Sequence, residues 1–307
     1  MSKHNEFDPN DTSPINVMSE MNEMNEMSDV STLSILSGRI AEALIPLELP
    51  AARALRLERR LVTRIAGSAA RHRALHTVRT SDVTWQALHK GVRACVLHDD
   101  GASRSALVEF APGASLPRHR HATHEECIVL RGSLQAGDSL VGLHDYHLAP
   151  AGSKHGRIQS PAGAVAFLRG TSIGKTGDML REVAAAMLPG DGPSPTTIVA
   201  GGDGWREVAD GAFVKPLWFW QSGAVASMLL RLEAGARMPA HPHAVHAMEE
   251  ECLMLSGEAF FGDMLLRGGE YQRAPAGSHH GEAFSDVGAL LYVHGDAAYT
   301  RLGSIRA

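Results

Sequence analysis

Two sets of histidines and glutamates recur along this chain at matching intervals. The first is His119, His121, Glu125 and His155; the second is His241, His243, Glu250 and His280. The leading histidines lie 122 positions apart, and thirty positions separate Glu125 from His155, as they separate Glu250 from His280. Imidazole nitrogens suit zinc, nickel and iron, and a carboxylate adds a harder anionic ligand that iron and manganese also accept. Each set therefore predicts a divalent-metal centre, with zinc, iron, manganese or nickel as the candidate ion. No side chain in either set is marked out as a general base or a substrate clamp, so catalytic residues stay unassigned.

Such a set needs several strands to converge. His119 and His121 are two apart and share one face of a strand. Glu125 lies just past a short turn, where an adjacent antiparallel strand brings it against the pair. His155 arrives from a distant strand, placed by the Pro150–Gly152 turn. The second set is laid out in the same way, with six residues between His243 and Glu250 where the first has three between His121 and Glu125. Glu250 is the matching carboxylate because the run Glu250–Gly257 parallels Glu125–Gly132. The insertion falls in a turn, where lengthening costs only about a few tenths of a kcal/mol. His246, inside that turn, is an alternative ligand.

Cys127 and Cys252 lie two residues past their glutamates and share the ligand face. They are read either as redox handles or auxiliary ligands, or, more commonly for such residues, as buried inert thiols. The Trp218-Phe219-Trp220 run is read as cavity lining, with at least one of its rings in plain packing.

Residues 1–37 are polar, acidic and repetitive, and are expected to be disordered. Residues 38–76 carry a helical segment, with Leu57, Leu61, Val62 and Ile65 at helical spacing after Pro50. Its arginines (Arg53, Arg56, Arg59, Arg60 and Arg64) fit either a docking face for an acidic partner or a solvated face. Short β-rich runs broken by Gly and Pro fill 77–177, a helix and Pro-rich linker fill 178–197, and a second β-rich unit fills 198–307. Trp205 answers Trp85, Cys252 answers Cys127, and Gly295 answers Gly170. Two copies of one fold are expected to pack as an internal pseudo-dimer that covers edge strands.

The pattern resembles the cupin superfamily. Its first motif, Gly-x5-His-x-His-x3,4-Glu-x6-Gly, is met by Gly113, His119, His121, Glu125 and Gly132. Its second is met by Pro150, Gly152 and His155, with His144 replacing the leading glycine and Gln159 the terminal asparagine. The second half supplies Gly269, Pro275, Gly277 and His280, with Phe284 at the asparagine position. The resemblance implies an all-β fold of two tandem double-stranded β-helix (jelly-roll) barrels, a bicupin, behind a short N-terminal helical segment. Within the superfamily the wording is most similar to the cupin half of ChrR-type anti-sigma factors, and also resembles metal-dependent dioxygenases of small diketones.

The implied function is a metal-binding bicupin with dioxygenase activity on a small oxygenated compound. The alternatives are a regulatory sensor and a non-catalytic small-molecule-binding cupin. ChrR-type factors carry a His-x3-Cys-x2-Cys zinc domain, but no cysteine here precedes Cys95, so a sigma factor is not expected as a partner. The net charge of −5 argues against general nucleic-acid binding. No apolar run of membrane-spanning length or secretory character is present, and the three cysteines show no framework spacing. A cytoplasmic protein is expected, with a small-molecule ligand and a homodimer formed through the barrels as candidate associations.

Overall fold

The computed structural model describes residues 49–190, 192–220, 222–239, 241–242 and 249–295. The stretch 1–37, His243 and His246 lie outside the described residues. An α-helix runs Ala51–His72 behind Pro50, whose carbonyl accepts the Arg53 and Ala54 amides. The part of this helix up to Arg64 groups with a unit separate from Ile65–Ala307. A second helix, Thr176–Ala185, follows the first β-rich unit.

The β-rich units fold as two barrels. The first is built on a seven-stranded sheet in the order Thr196–Ile198, Tyr146–Ala149, Glu125–Gly132, Ala164–Arg169, Arg104–Phe110, Val92–Asp99, Gln86–His89. Facing it is a smaller sheet of Ala114–Leu116, Ile158–Ser160, Leu134–Ala136 and Ser139–Val141. The second barrel repeats the plan with His76–Val78, Tyr271–Ala274, Glu250–Phe261, Ala289–His294, Val225–Leu232, Ala212–Phe219 and Arg206–Ala209.

Each large sheet ends on a strand from the other repeat. His76–Val78, ahead of the first barrel, pairs antiparallel with Tyr271–Ala274 of the second. Thr196–Ile198, ahead of the second barrel, pairs with Tyr146–Ala149 of the first. The exchange satisfies the backbone groups of two strands that would otherwise be open edges. It also runs across both expected boundaries, near residues 77 and 198.

The large sheets are buried on both faces, and strand alternation sorts their side chains. Along Arg104–Phe110, Ala106, Val108 and Phe110 fill the first barrel's interior. Leu107 points the other way, into a core shared between barrels, where Ile128 and Phe167 meet Leu229, Leu253 and Tyr292. Each fully buried side chain of this kind contributes about 1.5–3 kcal/mol, so the seam between the barrels is a core in its own right.

Two glycines shape the barrel that carries the first ligand set. Gly132 has φ +70°, and a Cβ there would overlap the Gly163 carbonyl. Gly170 has φ +74°, and a Cβ there would overlap the His124 carbonyl, directly ahead of Glu125. Both positions combine a left-handed backbone with a close approach that only glycine tolerates.

Candidate metal centre

His119 and His155 face each other across a two-stranded ribbon, with Arg120 opposite Lys154. His121 follows, its amide donating to the Ser153 carbonyl at 3.0 Å, which locks the ribbon to the Pro150–Gly152 turn. Glu125 opens the strand Glu125–Gly132 on the barrel's inner face. The sequence-predicted residues therefore converge. One ligand atom each from His119, His121 and Glu125 lies within 4.8 Å of the others. The His155 ring stands beside them, its centroid 4.8 Å from His121 and 5.5 Å from His119.

The environment favours neutral imidazoles. Burial, aided by the neighbouring His119 and His147, pushes the His121 pKa down to about 3. Burial together with His121, His147 and His119 takes His155 down to about 2. A neutral ring keeps the lone pair that a metal needs. His119 Nδ1 lies 3.0 Å from the Pro117 carbonyl, which fixes Nδ1 as the donor and leaves Nε2 for the site. The buried Nε2 of His121 has no hydrogen-bond partner among the described residues. Glu125 is buried, which raises its carboxyl above the usual range against the pull of His119, Thr171 and His147. An unpartnered buried nitrogen, an oriented neighbour and a buried carboxylate form a donor set that fits a divalent cation.

The set opens on a cavity of about 70 Å³ inside the first barrel, lined by His119, Glu125, His147 and His155 and otherwise mainly by apolar side chains such as Phe110, Leu116 and Met179. Among the described residues no Lys or Arg lines it. The helix Thr176–Ala185 contributes Met179, Glu182 and Val183 to this lining. Glu182 pins that helix: its carboxylate accepts from the Ala122 amide at 3.1 Å and from the Ser172 hydroxyl at 2.5 Å.

In the second barrel, His241 pairs with His280 on a ribbon of the same kind, so their backbones repeat the His119–His155 relationship. Glu250 is buried at the start of its strand. Both predicted ligand-face thiols are buried and carry strongly raised pKa values, from burial first and then the adjacent Glu125 or Glu250. That is the inert reading of Cys127 and Cys252. Trp218 and Trp220 do not line the first cavity; Trp218 lies at the seam, 5.3 Å from the His124 ring and stacked on His294 at 6.3 Å.

Sequence reasoning missed three features. His147 lines the first cavity. Glu126 and Glu251, one residue past the ligand carboxylates, point across the seam. There Arg169 donates to Glu251 at 2.9 Å and to Glu126 at 3.4 Å, while Tyr146 and Tyr292 each donate to Glu126 at 2.9 Å. His98, Asp100 and Glu249 also bring ligand atoms within 4.8 Å. Arg273, however, is ion-paired with both of their carboxylates.

The chain belongs to the family of ChrR cupin-like domains, which matches twice, over residues 73–172 and 197–298. No curated protein matches it by sequence. Among solved structures, a candidate dioxygenase from Nostoc punctiforme superposes with a TM-score of 0.54 at 16% identity, covering 73% of this chain and 83% of its own. Protein YlbA from E. coli gives 0.53 at 12% identity, covering 73% and 91%. A deletion mutant of Bacillus subtilis oxalate decarboxylase gives 0.47 at 18%, covering 71% and 76%. At these identities the first two likenesses speak to the cupin fold. Among the described residues no helix is long and apolar enough to cross a membrane.

Proposed function

We propose that the first barrel holds one divalent metal ion through His119, His121, Glu125 and His155, and that the protein is a metal-dependent dioxygenase acting on a small oxygenated compound. The observation that carries this reading is the convergence of His119, His121 and Glu125 ligand atoms within 4.8 Å beside a largely apolar cavity. Four protein ligands on an ion that prefers six leave open positions, where the ion supplies Lewis acidity and a place for exchange with small molecules.

The chain's own residues then set the selection. A cavity of about 70 Å³ admits only a small molecule, and its apolar wall favours a compact carbon skeleton. Among the described residues no Lys or Arg lines this cavity, so a carboxylate inside it meets no side-chain cation, whereas the recess on the other side of His121 is lined by Arg120, Arg169 and Lys175. A neutral ketone-, enol- or aldehyde-bearing compound therefore fits better than a dicarboxylate. By analogy with the first set, His241, His243, Glu250 and His280 form the second centre.

The test is elemental analysis of protein purified without added metal, followed by oxygen uptake with a panel of small neutral carbonyl compounds. Loss of about one metal equivalent in His121→Ala, and substrate-dependent oxygen uptake in the wild type only, are the expected results. Unchanged stoichiometry in that variant would sink the ligand assignment. Bound zinc with no oxygen uptake would favour the sensing or purely binding role.

A further inference from the structure

His147 stands on the strand Tyr146–Ala149, directly opposite Cys127 in register, on the face that looks into the first barrel. Its side chain is buried, with the residue 5% exposed, and its ring centroid lies 5.0 Å from that of His155. Nδ1 is engaged by the Thr197 hydroxyl at 2.8 Å. Nε2 is buried, has no hydrogen-bond partner among the described residues, and belongs to a ring lining the cavity. Thr197 lies on Thr196–Ile198, the strand that the second repeat lends to the first barrel.

The second barrel carries a different side chain at the matching position. Gln272 sits opposite Cys252 as His147 sits opposite Cys127. It too meets a threonine on the exchanged strand, donating to Thr77 Oγ1 at 3.1 Å, and its amide nitrogen also lies 2.8 Å from Met264 Sδ. The glutamine's donor nitrogen is spent on its supports. An imidazole held by one nitrogen still presents the other.

We propose that His147 is a specificity-determining residue of the first centre: the Thr197 hydroxyl donates to Nδ1, which leaves the ring proton on Nε2, and Nε2 donates a hydrogen bond to the small molecule held in the cavity. The inference rests on the metal reading above. His147 stands beside the four proposed ligands, next to His155, and is taken to act on the bound molecule and not on the ion, a distinction that metal retention in His147→Gln tests. The second repeat thereby completes the first repeat's site, and a glutamine in its place makes the second barrel chemically different on the same scaffold.

The experiment uses cobalt(II)-loaded full-length protein, azide as the probe and the visible spectrum as the readout, with His121→Ala as the baseline lacking the first centre. His147→Gln, the residue the second barrel accepts at this place, is expected to keep its cobalt and to bind azide about tenfold more weakly, the worth of one buried hydrogen bond. Thr197→Val should weaken azide several-fold in the same direction with cobalt content unchanged. Unaltered azide affinity in both variants would overturn the proposal. Loss of the first cobalt in His147→Gln would also overturn it, by making His147 a metal ligand. Wild-type protein that takes up no cobalt above the His121→Ala baseline would sink the metal reading itself, whereas cobalt uptake without azide binding would sink only the role of His147.

Discussion

His294 of the second barrel and Glu126 of the first meet at 3.1 Å across the buried seam between the barrels. Burial alone would raise the Glu126 carboxyl. His294, Arg169 and Ser227 outweigh it and hold the pKa at about 2, well below the usual 4.5. A carboxylate depressed in the folded state stabilises the fold above its unfolded pKa, and that contribution is lost as pH falls from about 4.5 towards about 2.

The wild type should therefore lose stability steeply over that interval, by roughly 3 kcal/mol from this group. Glu126→Gln should be destabilised by roughly 3–5 kcal/mol at neutral pH, because it leaves buried charge without its counterpart, and should show a flatter acid limb. Urea denaturation at neutral and acid pH measures both. An equal acid slope in the two proteins would exclude Glu126 as the source.

Gly170→Ala should disturb the first centre from outside it. The position combines φ +74° with a backbone approach to the His124 carbonyl. The added methyl group must displace the turn that delivers Glu125, at a cost of roughly 2–3 kcal/mol. Metal content of the first centre should fall along with thermal stability; a variant with both unchanged would show that the turn gives way freely.

His144→Gly should stabilise the protein. His144 holds φ +63° where the cupin motif carries glycine, and it is the one non-glycine with positive φ among the described residues. Its counterpart Gly269 has φ +86°. Relief of the left-handed strain, set against the greater freedom of unfolded glycine and the loss of the side-chain bond to the Leu255 backbone, leaves a net gain of at most about 1 kcal/mol. Thermal melting of the two proteins decides the sign.

Glu182→Ala should loosen the helix Thr176–Ala185 without unfolding the barrel. The substitution strands the Ala122 amide and the Ser172 hydroxyl, at about 1–3 kcal/mol for the lost partner. Amide exchange in residues 178–186 should speed up by more than tenfold while exchange in the strand Glu125–Gly132 stays slow. Equal acceleration in both would mean that helix and barrel open as one unit.

How far the sequence reached depended on how local each constraint is. His119, His121, Glu125 and His155 were legible because ligand chemistry restricts the residue types, and strand and turn geometry restricts the spacing. The same rules pointed to the doubled fold, since the repeat preserves the interval from Glu250 to His280. They favoured the inert reading of Cys127 but could not place Trp218, because stacking partners are contributed by segments far along the chain. His147 carried one faint signal: alternation on its strand sets it opposite in sense to Tyr146, which faces the seam.

The sequence by itself determined the candidate ligands, the turns that present them and the two-barrel plan. Only the tertiary structure decided which strand closes which sheet, that Glu126, Arg169 and Glu251 meet at the seam, and that Thr197 from the second repeat holds His147 against the first cavity. The physical reason is that ligand and turn patterns are written in neighbouring residues. Strand exchange and buried charge pairing are settled by contacts as distant in sequence as Glu126 and Tyr292, whose partners no local spacing specifies.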